Sequence, residues 1–389
     1  MRSSVFAYGF RPHFLLAGFA ALALVPVWAL SFVAGTPLGS AWPPTLWHGH
    51  EMLFGFVASA IAGFLLTAVP SWTGQKGFAG VPLVVLVSLW LVARVLIASS
   101  ALWPVMFIAA VDLAFLPALA ILLVRPLLRG RNRNSPLLMV LGLLWLTNLA
   151  FYLGLIRRDP PFALHALHVG IDIVLVLVTV IGGRIVPTFT ASALRPRGLQ
   201  EAVRSSRVLT GLAISVMVLV AVVDSVLPDG QVAGILAAIA AAIQALRLLQ
   251  WGTLHTLRQP IVWVLHLSYA WLPVGLALKA VALLSGAGFA AFWLHVLTIG
   301  ALTTMILAVM TRASLGHTGR ALIVDPLITL AYLLLTAAAA VRVFGLAALH
   351  LNYSVVILLA ALLWTGAFAL YVVVYAPILW NPRVDGKSG

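Results

Sequence analysis

The stretch that decides the fold is residues 47 to 73, which read Trp-His-Gly-His-Glu-Met-Leu-Phe-Gly-Phe-Val-Ala-Ser-Ala-Ile-Ala-Gly-Phe-Leu-Leu-Thr-Ala-Val-Pro-Ser-Trp-Thr. Residues 53 to 69 are predominantly apolar, and a run of about twenty such residues spans a bilayer as a helix. His48, His50 and Glu51 stand at the mouth of that helix. Ionisable side chains are expensive to place there, so we expect these three to take part in chemistry.

The composition of the whole chain is that of a membrane protein. Of its 389 residues, 63% are hydrophobic and 8% are charged, and the mean hydropathy is +1.13, so a soluble domain of this size would aggregate. Cysteine is absent, which excludes disulfides, thiolate metal ligands and iron-sulfur clusters and leaves His, Met, carboxylate or carbonyl groups to bind a metal. The net charge of +14 is explained by basic cytoplasmic loops rather than by nucleic-acid binding.

Hydropathy divides the chain into about twelve segments that are long enough to cross a bilayer. We therefore predict an all-α fold, a polytopic transmembrane helical bundle, in a single integral membrane domain over residues 1–389. The first segment exceeds a signal-peptide core in length, so we predict that it is retained. The longest connection, residues 188–205, is basic and is predicted to be a turn-rich loop. The segments lie at roughly residues 14–34, 49–70, 81–99, 102–124, 136–156, 161–187, 206–227, 231–250, 260–284, 288–311, 322–344 and 353–377.

The distribution of basic residues predicts that both termini face the cytoplasm. With that orientation most of the 23 basic residues fall in inner loops or at inner helix ends, as the positive-inside rule requires. Arg157, Arg158 and Arg342 fall on the outer side, and Arg94 and Lys279 lie within segments. The inner residues are Arg2, Arg11, Lys76, Arg125, Arg129, Arg131, Arg133, Arg184, Arg195, Arg197, Arg204, Arg207, Arg247, Arg258, Arg312, Arg320, Arg383 and Lys387.

Five histidines on three segments are predicted to share the outer half of the bilayer. His48 and His50 lie near the outer surface. His168 and His295 lie roughly 10 Å below it, given the rise of about 1.5 Å per helical residue, and His165 belongs to the same layer. Ionisable residues are rare at this depth, so five in one layer favour a cofactor site.

The sixth segment carries a polar stripe. His165, His168 and Asp172 are spaced three and then four residues apart, which places them on one helix face. Neutral imidazoles suit copper, haem iron and zinc, and a carboxylate such as Asp172 or Glu51 can accept the second N–H of a ligating ring. The alternative is that a single intramembrane histidine only donates an interhelical hydrogen bond.

A second group of histidines lies toward the predicted cytoplasmic side. His266, with Tyr269, lies about one and a half turns into the ninth segment and is the better ligand candidate of this group. His13 and His317 lie near the interface, where a histidine costs little free energy.

Other polar and small residues indicate helix packing. Arg94 and Asp112 lie on segments joined by a short turn, so an ion pair is the default expectation, although Arg94 could instead meet a haem propionate. Small side chains recur every four residues below the opening motif and predict a seam for close helix packing. The seam comprises Glu51, Gly55, Ser59, Gly63 and Thr67.

Several unusual sequence blocks resemble the NnrS family along nearly the whole chain. They are residues 10–12, 47–56, 62–70, 72–74, 182–190, 265–269 and 310–320. The resemblance implies a bacterial inner-membrane protein with about twelve helices. It also implies haem of the b type, copper, and a link to nitric oxide and nitrosative stress in denitrifying and related bacteria.

The resemblance also bears on individual residues. The chain departs from the family's usual pattern at His13, where an aromatic is more usual, and at three small residues, Gly49, Ser71 and Ser268. The residues that fall on the family's blocks are His48, His50, Glu51, Arg184, His266, His295, Arg312, His317 and Arg320.

Ligand chemistry narrows the candidates. Haem needs one or two axial histidines, and copper without thiolate needs two or three imidazoles, with a methionine such as Met52 as a further ligand. We predict His50, His168 and His295 as the metal ligands, with His48 and His165 as copper candidates and His266 with His317 as a reserve site. The residues predicted to support these ligands are Glu51, Asp172, Tyr269, Arg184, Arg312 and Arg320, with Arg94 near the cofactor.

Three classes of function are consistent with this pattern. The first is a haem-copper protein, in contact with membrane lipid, that binds or turns over nitric oxide or a related species. The second is a proton- or metal-coupled transporter that uses the same histidines and carboxylates as relays. The third is a cofactor-bearing scaffold without turnover. A transporter is expected to show repeat symmetry and broken helices near the midplane, and the sequence shows neither clearly.

Overall fold

The computed structural model describes residues 4–36, 40–129 and 134–387 of the chain. In those ranges the fold consists of helices without strands. Twelve helices there are long and apolar enough to cross a membrane, and each overlaps a segment predicted from the sequence, so the all-α transmembrane fold is confirmed. The orientation of the termini stays a prediction, and three of its residues, Arg2, Arg131 and Arg133, lie outside the described ranges.

We number these twelve helices α1 to α12 in chain order. Most begin and end within a few residues of the predicted bounds, because length and hydropathy alone determine where a chain can cross a bilayer. The bounds are α1 Phe10–Ala34, α2 Pro44–Thr73, α3 Val81–Ala98, α4 Val105–Leu128, α5 Pro136–Ile156, α6 Pro160–Arg197, α7 Arg207–Val226, α8 Gln231–Leu249, α9 Pro260–Ser285, α10 Gly288–His317, α11 Pro326–Ala348 and α12 Tyr353–Trp380.

The sixth helix is longer than the sequence suggested. Its regular α-helical part is Pro160–Leu194, so the prediction of a loop from residue 188 onward was wrong for residues 188–194. Three hydroxyls in this part donate to the carbonyl four residues earlier. Their hydrogen-bonding needs are therefore met within the helix itself. These hydroxyls belong to Thr188, Thr190 and Ser192.

Two helices change their pitch directly after a histidine. In α2 the α-helix Pro44–His50 is followed by a π-helix over Glu51–Val57. In α10 a π-helix over Val296–Thr303 follows His295. π-Helical segments are rare in proteins, and those that occur are frequently found at functional sites. Hydropathy carries no signal for it, so the sequence did not predict either segment.

The contacts between residues divide the chain into two compact units. Unit 1 comprises Met1–Gly170, Arg312–Leu322 and Phe368–Gly389, and unit 2 comprises Ile171–Thr311 and Ile323–Ala367. The single domain expected from the sequence stays a prediction, and each unit is described by itself below.

Within unit 1 the small residues of α2 lie at close helix contacts, as the seam predicted. A Cβ atom placed on Gly63 would come within 2.7 Å of the Phe14 ring of α1. One turn earlier, Ser59 Oγ donates a hydrogen bond to the carbonyl of His13 at 3.0 Å. Small side chains therefore allow α1 to approach the α2 backbone closely.

The close contact at Gly63 predicts a steric effect on stability. Gly63→Ala should destabilise the protein by about 1–3 kcal/mol, because the added methyl group overpacks the contact with Phe14. Gly142→Ala is the matched control, since Gly142 of α5 has open space around it and alanine favours a helix. Thermal unfolding in detergent, followed by tryptophan fluorescence, measures both. Equal unfolding midpoints for the two variants would contradict the packing argument.

Candidate functional site

Five polar side chains from four helices form one buried cluster in unit 1, which we call the His50 cluster. His50 and Glu51 come from α2, Arg94 from α3, Asp112 from α4 and Asn148 from α5. None of the five is more than 9% exposed. Polar groups at such depth need partners, since neither lipid nor apolar side chains can solvate them.

Arg94 joins the two carboxylates of the His50 cluster. Its Nη1 lies 3.3 Å from Glu51 Oε1, and its Nη2 donates to Asp112. Gly55 permits this approach, because a Cβ there would lie 2.9 Å from Arg94 Nη1. The expected Arg94–Asp112 ion pair is confirmed, and the assignment of Arg94 to a haem propionate stays a prediction.

Both ring nitrogens of His50 face oxygen acceptors. Nδ1 lies 3.3 Å from Glu51 Oε1. Nε2 lies 3.1 Å from Asn148 Oδ1 and 3.2 Å from Asp112 Oδ2. Asn148 Nδ2 donates to Asp112 at 2.8 Å, which turns the amide oxygen toward His50. An imidazole that donates from both nitrogens is protonated, so the geometry suits an imidazolium.

The charges of the His50 cluster balance when His50 is protonated. Glu51 and Asp112 supply two negative charges, and Arg94 and His50 supply two positive ones. A neutral His50 would leave one buried carboxylate without a counter-charge, at a free-energy cost of several kcal/mol. Aromatic rings around His50 keep the cluster dry and strengthen its electrostatic interactions. Their centroids lie 5.5 Å (Trp42), 5.1 Å (Phe54), 4.7 Å (Phe151) and 5.6 Å (Tyr152) from the imidazole.

This arrangement bears on the predicted role of His50 as a metal ligand. A ligating nitrogen must present a lone pair to the metal, and here both nitrogens face acceptors. Ligation would require His50 to leave Glu51, or to leave Asn148 and Asp112. The ligand role of His50 stays a prediction, and the role that the contacts display is that of a charged member of an ion network.

The other histidines predicted for the outer layer are spread over both units. In unit 1 the ring of His48 stacks on Trp28 with centroids 4.0 Å apart, and His165 and His168 are half-buried on α6. In unit 2 His295 is half-buried where α10 changes to its π segment. The described residues include no group of three His, Asp or Glu side chains positioned to hold a metal ion.

His266, a member of the predicted reserve site, is buried in unit 2, and both of its ring nitrogens take part in hydrogen bonds. Nδ1 lies 2.9 Å from Thr253 Oγ1, and Nε2 lies 2.7 Å from Thr190 Oγ1. The Thr190 hydroxyl already donates to the carbonyl of Val186, so it accepts from Nε2–H, and the neutral ring carries its proton on Nε2. Tyr269, predicted to support His266, hydrogen-bonds instead to Gln244 and Arg247.

His317, the other member of the reserve site, belongs to unit 1. Its ring packs near Tyr8 and Phe10, with centroids 6.0 Å and 5.7 Å away. Arg383 Nη1 donates to its backbone carbonyl at 2.7 Å. The family-like block that contains His317 is thus held by residues from both ends of the chain.

The remaining supporting residues differ in exposure. Asp172 is 7% exposed and lies in unit 2, where Lys279 of α9 forms a buried ion pair with Asp224 of α7. Arg184 is exposed, whereas Arg312 and Arg320 are half-buried in unit 1. Their predicted roles near a cofactor stay predictions.

The surroundings of two residues of unit 1 were not predicted from the sequence. Asn148 completes the His50 cluster, and an amide inside an apolar segment was the signal that could have indicated it. His13 was placed near the interface, where burial is cheap, but it is 0% exposed, and its two ring nitrogens have no hydrogen-bond partner among the described residues. Only the packing of neighbouring helices, with Phe115 6.0 Å away, decides that burial.

The charge balance of the His50 cluster predicts strong coupling between Arg94 and Asp112. Arg94→Gln leaves two carboxylates against one imidazolium and should destabilise the protein by about 3–5 kcal/mol. Arg94→Gln combined with Asp112→Asn restores the balance and should cost clearly less than the sum of the two single changes. Thermal or denaturant unfolding of the four proteins gives the coupling.

The surface pair of Arg383, which is half-buried, and Asp385, which is exposed, supplies the control for this cycle. Arg383→Gln and Asp385→Asn should have nearly additive effects, because solvent screens an ion pair at the surface. Additive effects of Arg94→Gln and Asp112→Asn would show that the buried charges do not compensate each other.

A search of curated proteins finds no match to the chain. The family model described as NnrS protein matches residues 4–383, which is nearly the whole chain. The chain therefore belongs to the NnrS family.

Proposed function

We propose that this multi-pass membrane protein binds haem and copper in the bacterial inner membrane and binds or turns over nitric oxide or a related species. Family membership supports the proposal through the cofactors that the NnrS resemblance implies. The observation that carries it is the match of residues 4–383 to the family model. The buried imidazole of His13, which has no hydrogen-bond partner among the described residues, adds a candidate ligand particular to this chain, since an aromatic is more usual there in the family. A bound haem would supply an iron that can take nitric oxide, and copper would supply a second redox metal.

His13 would hold the iron of a bound haem through one ring nitrogen. An unpaired polar group in an apolar interior costs about 1–3 kcal/mol, and a metal bound to one nitrogen removes part of that cost. Since neither ring nitrogen of His13 has a hydrogen-bond partner among the described residues, a lone pair is available. Haem requires only one or two such rings, so the donor set fits haem.

Copper requires more ligands than haem. His48, His165 and His168 in unit 1 and His295 in unit 2 remain the candidates, since imidazoles bind copper well without thiolate. The described residues present no preassembled group of three such ligands.

Cofactor content and spectra test the proposal. The protein, purified in detergent after production with sufficient haem and copper, should contain both, and nitric oxide should shift its reduced haem spectrum. His13→Ala should lower the haem content or change the haem spectrum, and His168→Ala and His295→Ala should lower the metal content. His255→Ala is the control, because His255 is exposed.

Different results would contradict the proposed function and the proposed ligand assignment. Protein that contains neither haem nor copper would contradict the proposed function. Protein that contains both, with unchanged contents and spectra in all three ligand variants, would retain the function and overturn the assignment of His13, His168 and His295.

Proton- or metal-coupled transport is the second candidate function, and the His50 cluster favours it. A histidine hydrogen-bonded to two buried carboxylates can hold and release a proton, as intramembrane relays do. In proteoliposomes with a trapped pH dye, a transporter should move protons with its substrate metal, and Asp112→Asn should abolish that movement. Wild-type liposomes that show no copper-dependent proton movement would exclude copper-proton transport.

A further inference from the structure

Unit 2 contains a buried arginine that has no carboxylate partner among the described residues. Arg247, in the last turn of α8, is 2% exposed. No described carboxylate forms an ion pair with it, and Asp224, a buried acid of the same unit, pairs with Lys279 instead. A guanidinium keeps its positive charge even when it is buried.

The hydrogen bonds of Arg247 use only one of its nitrogens. Nη1 donates to the carbonyl of Thr179 at 2.9 Å and to the hydroxyl of Tyr269 at 3.0 Å. That hydroxyl in turn donates to Gln244, so its orientation is set. Nε and Nη2 are buried without any partner among the described residues.

The two unpartnered nitrogens belong to the same edge of the guanidinium. Nε–H and one N–H of Nη2 point in parallel, in the geometry that matches the two oxygens of a planar oxyanion. Partners on Nη1 fix the opposite end of the group. The guanidinium is thus oriented and keeps a complete two-donor edge in a dry interior.

Part of the charge is offset without an anion. The C-terminal end of a helix carries a partial negative charge of roughly half a unit, which favours a cation in the last turn of α8. The Trp251 ring lies 5.5 Å from Cζ of Arg247 and adds a cation–π interaction. Neither provides acceptors for the Nε and Nη2 hydrogens.

Gly183 makes the placement of Arg247 possible. A Cβ on Gly183 would lie 1.9 Å from Nη2 and 2.2 Å from Cζ, so every other residue there would displace the guanidinium. Gly182 and Gly183 of α6 begin the block of residues 182–190 that resembles the NnrS family. The structure explains Gly183, because its backbone forms a cradle for the guanidinium that a side chain would fill.

We propose that the Nε and Nη2 edge of Arg247 binds a planar oxyanion, supplied either by a propionate carboxylate of haem or by a free small anion of the same shape. The haem source rests on the proposed function, and the free anion does not. Bidentate recognition explains why the two donors stay parallel and unpaired, and why an arginine rather than a lysine holds this position.

Anion-dependent thermal stability of the full-length protein in detergent tests the edge itself. The probes are sodium formate, which has a planar carboxylate, and sodium nitrite, each compared with sodium chloride at equal ionic strength. For haem-free protein, formate or nitrite should raise the unfolding midpoint in a saturable manner, because a ligand bound to the native state stabilises it. Arg247→Gln and Arg247→Lys should both lose this shift, since neither presents two parallel charged donors.

Arg258→Gln is the matched control, because Arg258 is an exposed arginine of the same unit. It should keep the full shift. A shift of equal size with chloride, or an unchanged shift in both Arg247 variants, would overturn the proposed planar oxyanion site. Arg247→Lys keeps the charge, so it guards against a loss of folding in Arg247→Gln.

A comparison of haem with its dimethyl ester identifies the source of the anion. If a propionate occupies the edge, Arg247→Gln should weaken haem binding about tenfold or more and leave binding of the ester unchanged, and formate should stabilise only haem-free protein. If the anion is free, formate should stabilise haem-free and haem-loaded protein alike, and haem binding should not depend on Arg247.

Failure of the proposed function and failure of the oxyanion site would give different results. Protein that binds no haem but shows the Arg247-dependent formate shift would contradict the proposed function and support the oxyanion site. Protein that binds haem normally, with no anion shift and no difference between haem and its ester in Arg247→Gln, would support the proposed function and overturn the oxyanion site.

Discussion

A charged side chain inside a bundle of membrane helices needs a counter-charge there, because neither lipid nor apolar packing solvates it. In unit 1 this constraint brings together four helices, since Arg94 of α3 contacts Glu51 of α2 and Asp112 of α4, and Asn148 of α5 binds Asp112. Dispersion packing between apolar helices is weakly directional. The buried charges therefore specify which helices meet, and at what depth.

The same constraint separates the histidines by role. His50 lies among acceptor oxygens and completes a neutral set of charges, so its surroundings favour a proton over a metal. His13 has no hydrogen-bond partner among the described residues, so its surroundings offer no acceptor for a ring proton. In unit 2, Arg247 has the converse property, a fixed positive charge with two donors that have no partner among the described residues. The buried polar groups thus face different chemical surroundings.

Much of the fold could be predicted from one sequence. Each of the twelve segments overlaps a helix, because a span depends on local length and hydropathy. The Arg94–Asp112 pair was predictable since both residues flank one short turn, and the seam through Ser59 and Gly63 follows from helical spacing. The end of α6 was mispredicted, because hydroxyls that bond within their own helix resemble the polar residues of a loop. The π segments in α2 and α10 were not predicted, because hydropathy carries no signal for a change of helical pitch.

The membrane class, the helices and the ionisable groups inside them could be read from one chain, because they depend on composition and on spacing along one helix. What each ionisable group faces depends instead on how the helices pack. Residues distant in the chain, such as Asn148 for His50 and Gly183 for Arg247, set whether a side chain is a donor, a counter-ion or an open ligand. The physical reason is that electrostatic and hydrogen-bond energies in a dry interior depend on contacts within about 3–4 Å, which spacing along a single helix does not specify.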